Sequence, residues 1–243
     1  MSKEIPISTH LKELRQVFLI SFIAIFAMTM VSYLLLREPV MDFIISPASQ
    51  YHIDLKFTGV SEAFMAYMKI SVLSGIIFAS PIIFWQVLKF ILPGLYSNEK
   101  KVFIFILFWM IVLFLCGISF AYFVVLKYAL KALLFDFSGA FEPFITVNNY
   151  LGFVSKFIIP FGIVFEIPLL IFFLTKLELV TPESLKKYRR YIIVIIVIIA
   201  GVFSPPDVVS QVMLALPMYV LYELSILVSK WVYSKIRHEE TDE

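Results

Sequence analysis

The chain predicts an all-α integral membrane protein of six transmembrane helices with both termini on the cytoplasmic side. Three observations predict it. Of 243 residues, 61% are hydrophobic and 16% charged, and mean hydropathy is +0.94; soluble domains lie nearer ~45–50% apolar and ~25% charged. The apolar residues gather into six runs separated by polar turns. Lysine and arginine divide unevenly: fourteen fall on the side that would hold both termini. Only six, Arg37, Lys56, Lys69, Lys127, Lys131 and Lys156, fall on the other. The cation-rich side of a membrane protein is the cytoplasmic one.

A helix rises ~1.5 Å per residue and the hydrocarbon core is ~30 Å thick, so ~20 apolar residues cross it. Positions 1–15 are polar, and the first run, Val17–Leu36, is uncharged and too long for a cleavable leader. It predicts a retained first span. Ahead of it Ile7, Leu11, Leu14 and Phe18 recur at helical spacing, with Ser8 or Thr9 as a cap. Glu13 and Arg15 project off that stripe. From these residues alone, an interfacial helix that merely feeds the first span explains this segment better than a binding role does.

Ile70–Leu88 predicts the second span, kinked at Pro81. Val102–Leu126 predicts a tilted third. Phe157–Thr175 predicts the fourth, apolar except for Glu166, which sits between Pro160 and Pro168. Tyr191–Pro206 and Val208–Ser229 predict a short fifth and sixth, parted by the turn Ser204-Pro205-Pro206-Asp207. A re-entrant hairpin is the alternative for the last pair. Trp85 and Trp231 then lie near cytoplasmic ends of spans. The outer loops Arg37–Tyr67 and Tyr128–Ser155 are long and apolar, the second carrying Phe135, Phe137, Phe141 and Phe144; both predict short capping helices. The tail from about residue 236 to 243 predicts disorder, and the remainder a single bundle domain.

The turn FILPGLYSNEKK, Phe90–Lys101, exceeds what a connection needs. Ser97 and Asn98 are good cap residues, so Glu99 belongs in the first turn of the third span, where the helix dipole favours an ionised carboxylate. It serves either as dipole compensation or as an exposed anion beside Phe90 and Tyr96, able to take a guanidinium in a bidentate grip. Glu166 is expensive at membrane depth, at roughly 2.5–3.5 kcal/mol. It is either a neutral or paired structural acid or part of a polar patch in a concavity. Asp207 reads as the cap of the following helix, one turn before Gln211. Glu223 reads as a snorkelling acid or a partner of Lys230.

Several classes are excluded or weakened. A net charge of +2 is too small to argue for nucleic acid. The one cysteine, Cys116, and the scattered His10, His52 and His238 predict neither a disulfide nor a metal cofactor. No histidine lies in a span, against a Ser–His dyad or a zinc hydrolase. No GxxxxGK[ST] loop occurs, against a nucleotide-driven pump. A small-solute secondary transporter with a midplane site around Glu166 stays as the alternative.

HLKELR at 10–15, FILPGLYSNEK at 90–100, FEIP at 165–168 and SPPDVVSQ at 204–211 together resemble the TatC subunit of the twin-arginine protein translocase. The resemblance runs over nearly the whole chain in the same order. It implies a concave, cup-like six-helix bundle in the bacterial cytoplasmic (inner) membrane, without enzymatic activity or cofactor. It implies a receptor for the twin-arginine signal peptides of folded cargo. Its implied partners are single-span TatA/TatB-type subunits and further copies of itself, with export driven by the proton gradient. Carried over residue by residue, Glu13 and Glu99 are the acids that receive the two arginines. Leu14 and Arg15 belong to the N-terminal motif, and Phe90, Pro93, Leu95 and Tyr96 to the turn. Glu166 and Gln211 form the intramembrane polar patch. Pro47, Tyr122 and Asp207 are structural or assembly positions. Gly94 stands where alanine is expected, and Thr9 where an acid is frequent, leaving the N-terminal site one negative charge poorer.

Overall fold

The computed structural model describes residues 7–51, 53–91, 100–133, 144–204 and 207–242, with side chains from residue 11 to residue 235. The described residues are helical except for short loops and one isolated parallel bridge between Lys56 and Thr146. In order the helices are α1 (Ile7–Val31), α2 (Arg37–Gln50), α3 (Glu62–Ile91), α4 (Lys100–Phe120), α5 (Leu126–Lys131), α6 (Val147–Val164), α7 (Ile167–Lys176), α8 (Pro182–Phe203) and α9 (Val208–Asp242). Wide π-helical turns, Ser32–Leu36 and Ala121–Val125, join α1 to α2 and α4 to α5.

Five stretches of described helix are long and apolar enough to cross a membrane: Leu11–Gln50, Glu62–Ile91, Lys100–Lys131, Val147–Lys176 and Val208–Lys235. The region expected as a short fifth span falls on the apolar second half of α8, whose first half carries Lys186, Lys187, Arg189 and Arg190. The expected Leu36 boundary falls at the end of the first π-helical turn, and α2 is a short helix of the kind expected within Arg37–Tyr67, joined to α1 without a break. Pro39 has no N–H to offer the preceding turn, and the wide turn Ser32–Leu36 comes just before it, so the chain stays helical past the proline. At the other end α9 continues through the tail expected to be disordered, as far as Asp242, because its lysine, arginine and glutamate residues are good helix formers. Helix α1 starts at Ile7, which places Ser8 and Thr9 inside it rather than at its cap.

Contacts group the chain into two compact units, Met1–Val112 with Ile145–Leu151, and Leu113–Phe144 with Gly152–Glu243. In the first, α1 packs along α3 through small residues, which let two backbones approach closely. Ser32 and Ser74 share a hydrogen bond of 2.5 Å between buried hydroxyls. A Cβ added at Gly75 would meet the backbone N of Thr29 at 2.7 Å and its Cα at 2.8 Å. At the far end of α3, buried Glu62 accepts hydrogen bonds from Thr58 N, Thr58 Oγ1 and Asn148 N, so one carboxylate ties both outer segments together. The Tyr150 hydroxyl donates to Ile44 O at 2.9 Å and anchors α2.

In the second unit, Phe157, Phe161, Ile171, Ala200, Leu214, Met218 and Ile226 form a buried core. Gly117 lets α4 approach Phe161 O, and Thr175 and Ser229 join α7 to α9 through a buried hydrogen bond of 2.8 Å. Helix α8 begins on a capping box: Ser184 N donates to Thr181 Oγ1, and Thr181 N meets Ser184 Oγ. Glu223 pairs not with Lys230 but with Arg189, at 2.6 Å, and also accepts from the Tyr219 hydroxyl at 2.8 Å. The acid and its true partner lie on neighbouring helices 34 residues apart, a contact that spacing along one helix cannot reveal.

Candidate functional site

Helices α1 and α3 run antiparallel from the Thr29–Gly75 approach. Sixteen residues back from Thr29 comes Glu13, and fifteen on from Gly75 comes Phe90. At ~1.5 Å per residue both climb nearly the same height, so the two meet at one end of the pair. There Glu13, Gln16, Val17, Ile20, Gln86, Lys89 and Phe90 line a cavity of about 220 Å³. One water needs ~10–15 Å³ on a comparable measure, so this is space for a side chain rather than a packing defect.

The lining is mixed by design of the helical repeat. Glu13, Gln16, Val17 and Ile20 stand at i, i+3, i+4 and i+7 on α1, and Gln86 and Phe90 one turn apart on α3. The lining therefore combines a carboxylate, two amides and an ammonium with an aromatic ring and two aliphatic side chains. The motif reading singled out Glu13 and Phe90 but missed Gln16, Val17, Ile20, Gln86 and Lys89. Helical spacing from Glu13 marks Gln16, Val17 and Ile20, and from Phe90 marks Gln86, as neighbours on one face, but only the pairing of α1 with α3 brings the two faces and Lys89 together.

Among the other residues named from the sequence, Leu14 is half-buried on α1, and exposed Arg15 opens onto a neighbouring groove. Pro93, Leu95, Tyr96 and Glu99, with Gly94, Ser97 and Asn98, lie outside the described residues, as do His52, Phe135, Phe137, Phe141, Pro205 and Pro206. The side chains of Ser8, Thr9 and His10 do too.

Glu166 sits where α6 gives way to α7. Pro168 has no N–H for Val164 O, and the backbone answers with a tighter bond from Glu166 N to Ile163 O at 3.1 Å. Both carboxylate oxygens are covered, with the Phe114 backbone beside them and no hydrogen bond of good geometry to a described residue. Gln211 donates to Val197 O at 3.1 Å and lies against Gly201; no hydrogen bond joins it to Glu166. Asp207 caps α9 by accepting from Ser210 N at 2.6 Å. Pro47 is fully buried in α2, and Tyr122 is buried in the second π-helical turn. Among the described residues no cluster of three or more His, Cys, Asp or Glu side chains is placed to hold a metal.

Comparison with known proteins gives these positions a context. The family model for the Sec-independent protein translocase protein (TatC) matches residues 9–217. The TatC protein of Carboxydothermus hydrogenoformans is 38% identical over 234 residues, covering 96% of each chain. That of Aquifex aeolicus is 38% identical over 93% of this chain and 95% of its own. A crystal structure of the twin-arginine translocase receptor TatC superposes with a TM-score of 0.84 at 39% identity, over 92% of this chain and 99% of that one. The translocase component matched by all three shares this all-helical, membrane-compatible architecture, and the chain belongs to the TatC family of Sec-independent protein translocase proteins.

Proposed function

We propose that this chain is the signal-peptide receptor of its translocase, a six-span protein of the bacterial cytoplasmic membrane with both termini in the cytoplasm. Glu13 and Glu99 each take one arginine of a twin-arginine leader, and Phe90, Pro93, Leu95 and Tyr96 shape the turn around it. Leu14 and Arg15, in the same N-terminal motif as Glu13, belong to the signal-peptide-binding set. Single-span TatA/TatB-type subunits and further copies of the chain complete the proton-gradient-driven assembly. The supporting observation is the cavity that Glu13 and Phe90, 77 residues apart, line together. A guanidinium offers five donors in a fixed fork, which a carboxylate and neighbouring amides can accept while Phe90 covers its face.

The test is photo-crosslinking from a probe at position 90 to a cargo precursor carrying Arg-Arg or Lys-Lys. Glu13→Gln and Glu99→Gln should each cut the Arg-Arg crosslink at least tenfold while membrane insertion stays normal. Undiminished crosslinking in both variants refutes the assignment. The break at Glu166 keeps a second reading, a small-solute carrier. It requires solute uptake by this chain alone in vesicles, whereas the receptor moves nothing without its partners.

A further inference from the structure

Beside the receptor cavity, and turned about a quarter of the way round α1, lies a second and more open groove of about 520 Å³ lined by Lys12, Arg15, Gln16, Leu19 and Ile20. Lys12, Arg15, Gln16 and Leu19 stand at i, i+3, i+4 and i+7, and the same face continues through Ile23 and Phe26. Leu19, Ile23 and Phe26 are each more than half exposed. Lys12 and Arg15 make no ion pair or hydrogen bond with any described residue. The face thus places two uncompensated cations over a stripe of bare aliphatic and aromatic surface. From Arg15 to Phe26 is eleven residues, ~16 Å of helix, close to half the ~30 Å hydrocarbon thickness. That is the outline of one phospholipid in one leaflet.

We propose that this face of α1 is a binding site for a single anionic phospholipid, its phosphate between Lys12 and Arg15 and an acyl chain along Leu19, Ile23 and Phe26. Charge complementarity selects the occupant. Two cations one turn apart match a phosphate. The apolar stripe distinguishes a lipid from free phosphate, which has nothing to place there. The site is separate from the receptor cavity, although Gln16 and Ile20 stand on the ridge between the two.

The experiment uses the full chain in phosphatidylcholine vesicles containing a trace of photoactivatable phosphatidylglycerol, labelled in the acyl chain, with adducts mapped by mass spectrometry. Adducts should fall on Leu19, Ile23 or Phe26. Near a membrane surface a cation contributes about fivefold to anionic-lipid affinity, so Lys12→Gln with Arg15→Gln should lower α1 labelling about 25-fold. Lys186→Gln with Lys187→Gln, which removes the same charge from exposed positions on α8, should leave α1 labelling unchanged. The proposal is overturned by labelling that survives the α1 pair, that drops equally in the α8 pair, that is matched by photoactivatable phosphatidylcholine, or that inorganic phosphate competes away. No leader peptide is present, so the result is independent of the receptor assignment.

Discussion

Gly75→Ala tests the packing that brings Glu13 and Phe90 to one cavity. The added Cβ would overlap Thr29 Oγ1 and sit 2.7 Å from Thr29 N and 2.8 Å from its Cα, where ordinary contact begins near 3.4 Å. Relief requires α1 and α3 to part by roughly 0.7 Å at this point, because the opposing atoms are backbone and have no rotamer to change. Overpacking of this kind costs ~1–3 kcal/mol, and the backbone clash places it at the upper end. For a chain of this size that corresponds to a fall in melting temperature of about 4–9 °C, read by tryptophan fluorescence on the purified protein in detergent. Thr29→Ala removes the hydroxyl and the γ-methyl but leaves both backbone contacts, so the double variant should recover less than about 1 kcal/mol. A Gly75→Ala protein that melts within about 1 °C of the parent refutes the close approach. Full rescue by Thr29→Ala shows that the Thr29 side chain, not the backbone, was the obstacle.

Three further outcomes follow from other contacts. Glu223→Ala should cost about 1–2 kcal/mol, a modest figure because the paired side chains retain 43% and 29% exposure. A double-mutant cycle with Arg189→Ala should show a coupling above ~0.5 kcal/mol, and strict additivity would deny the ion pair. Glu62→Gln removes the charged acceptor that serves Thr58 and Asn148, so protease added to the protein in detergent should cut segment 53–61 faster than in the parent. Equal cutting rates would show that the clasp is not what orders the segment. Glu178 holds a left-handed backbone, φ 58°, just past α7, with Leu179 N bonded to Leu174 O. Glu178→Gly should therefore stabilise the protein by up to about 1 kcal/mol, seen as a higher melting temperature; a lower one would mean that this turn gains from its side chain.

Four of the motifs were legible as family marks before any coordinates, and so was the class of molecule. The cavity was legible only in part. Glu13 and Phe90 stood out as residues, but Gln16, Gln86 and Lys89 join them only because α1 and α3 pair in one antiparallel register. Glu223 went to the wrong partner for the same reason: a lysine seven residues along was visible, and an arginine on the next helix was not. The boundary at Leu36, read from the end of an uncharged run, falls at the end of a wide turn, and the helix expected in the segment beyond it is α2; that the two are continuous was not legible.

Composition and the spacing of apolar runs determined by themselves that this is a helical membrane protein, because transfer into lipid is summed residue by residue along a local stretch and needs no knowledge of neighbours. Tertiary structure alone decided that Thr29 lies on Gly75, that Arg189 meets Glu223, and that Glu13 and Phe90 share one cavity. Helix pairing in lipid rests on close backbone approach and a few hydrogen bonds between residues far apart in the chain, and which helices find that fit is a property of their assembled surfaces.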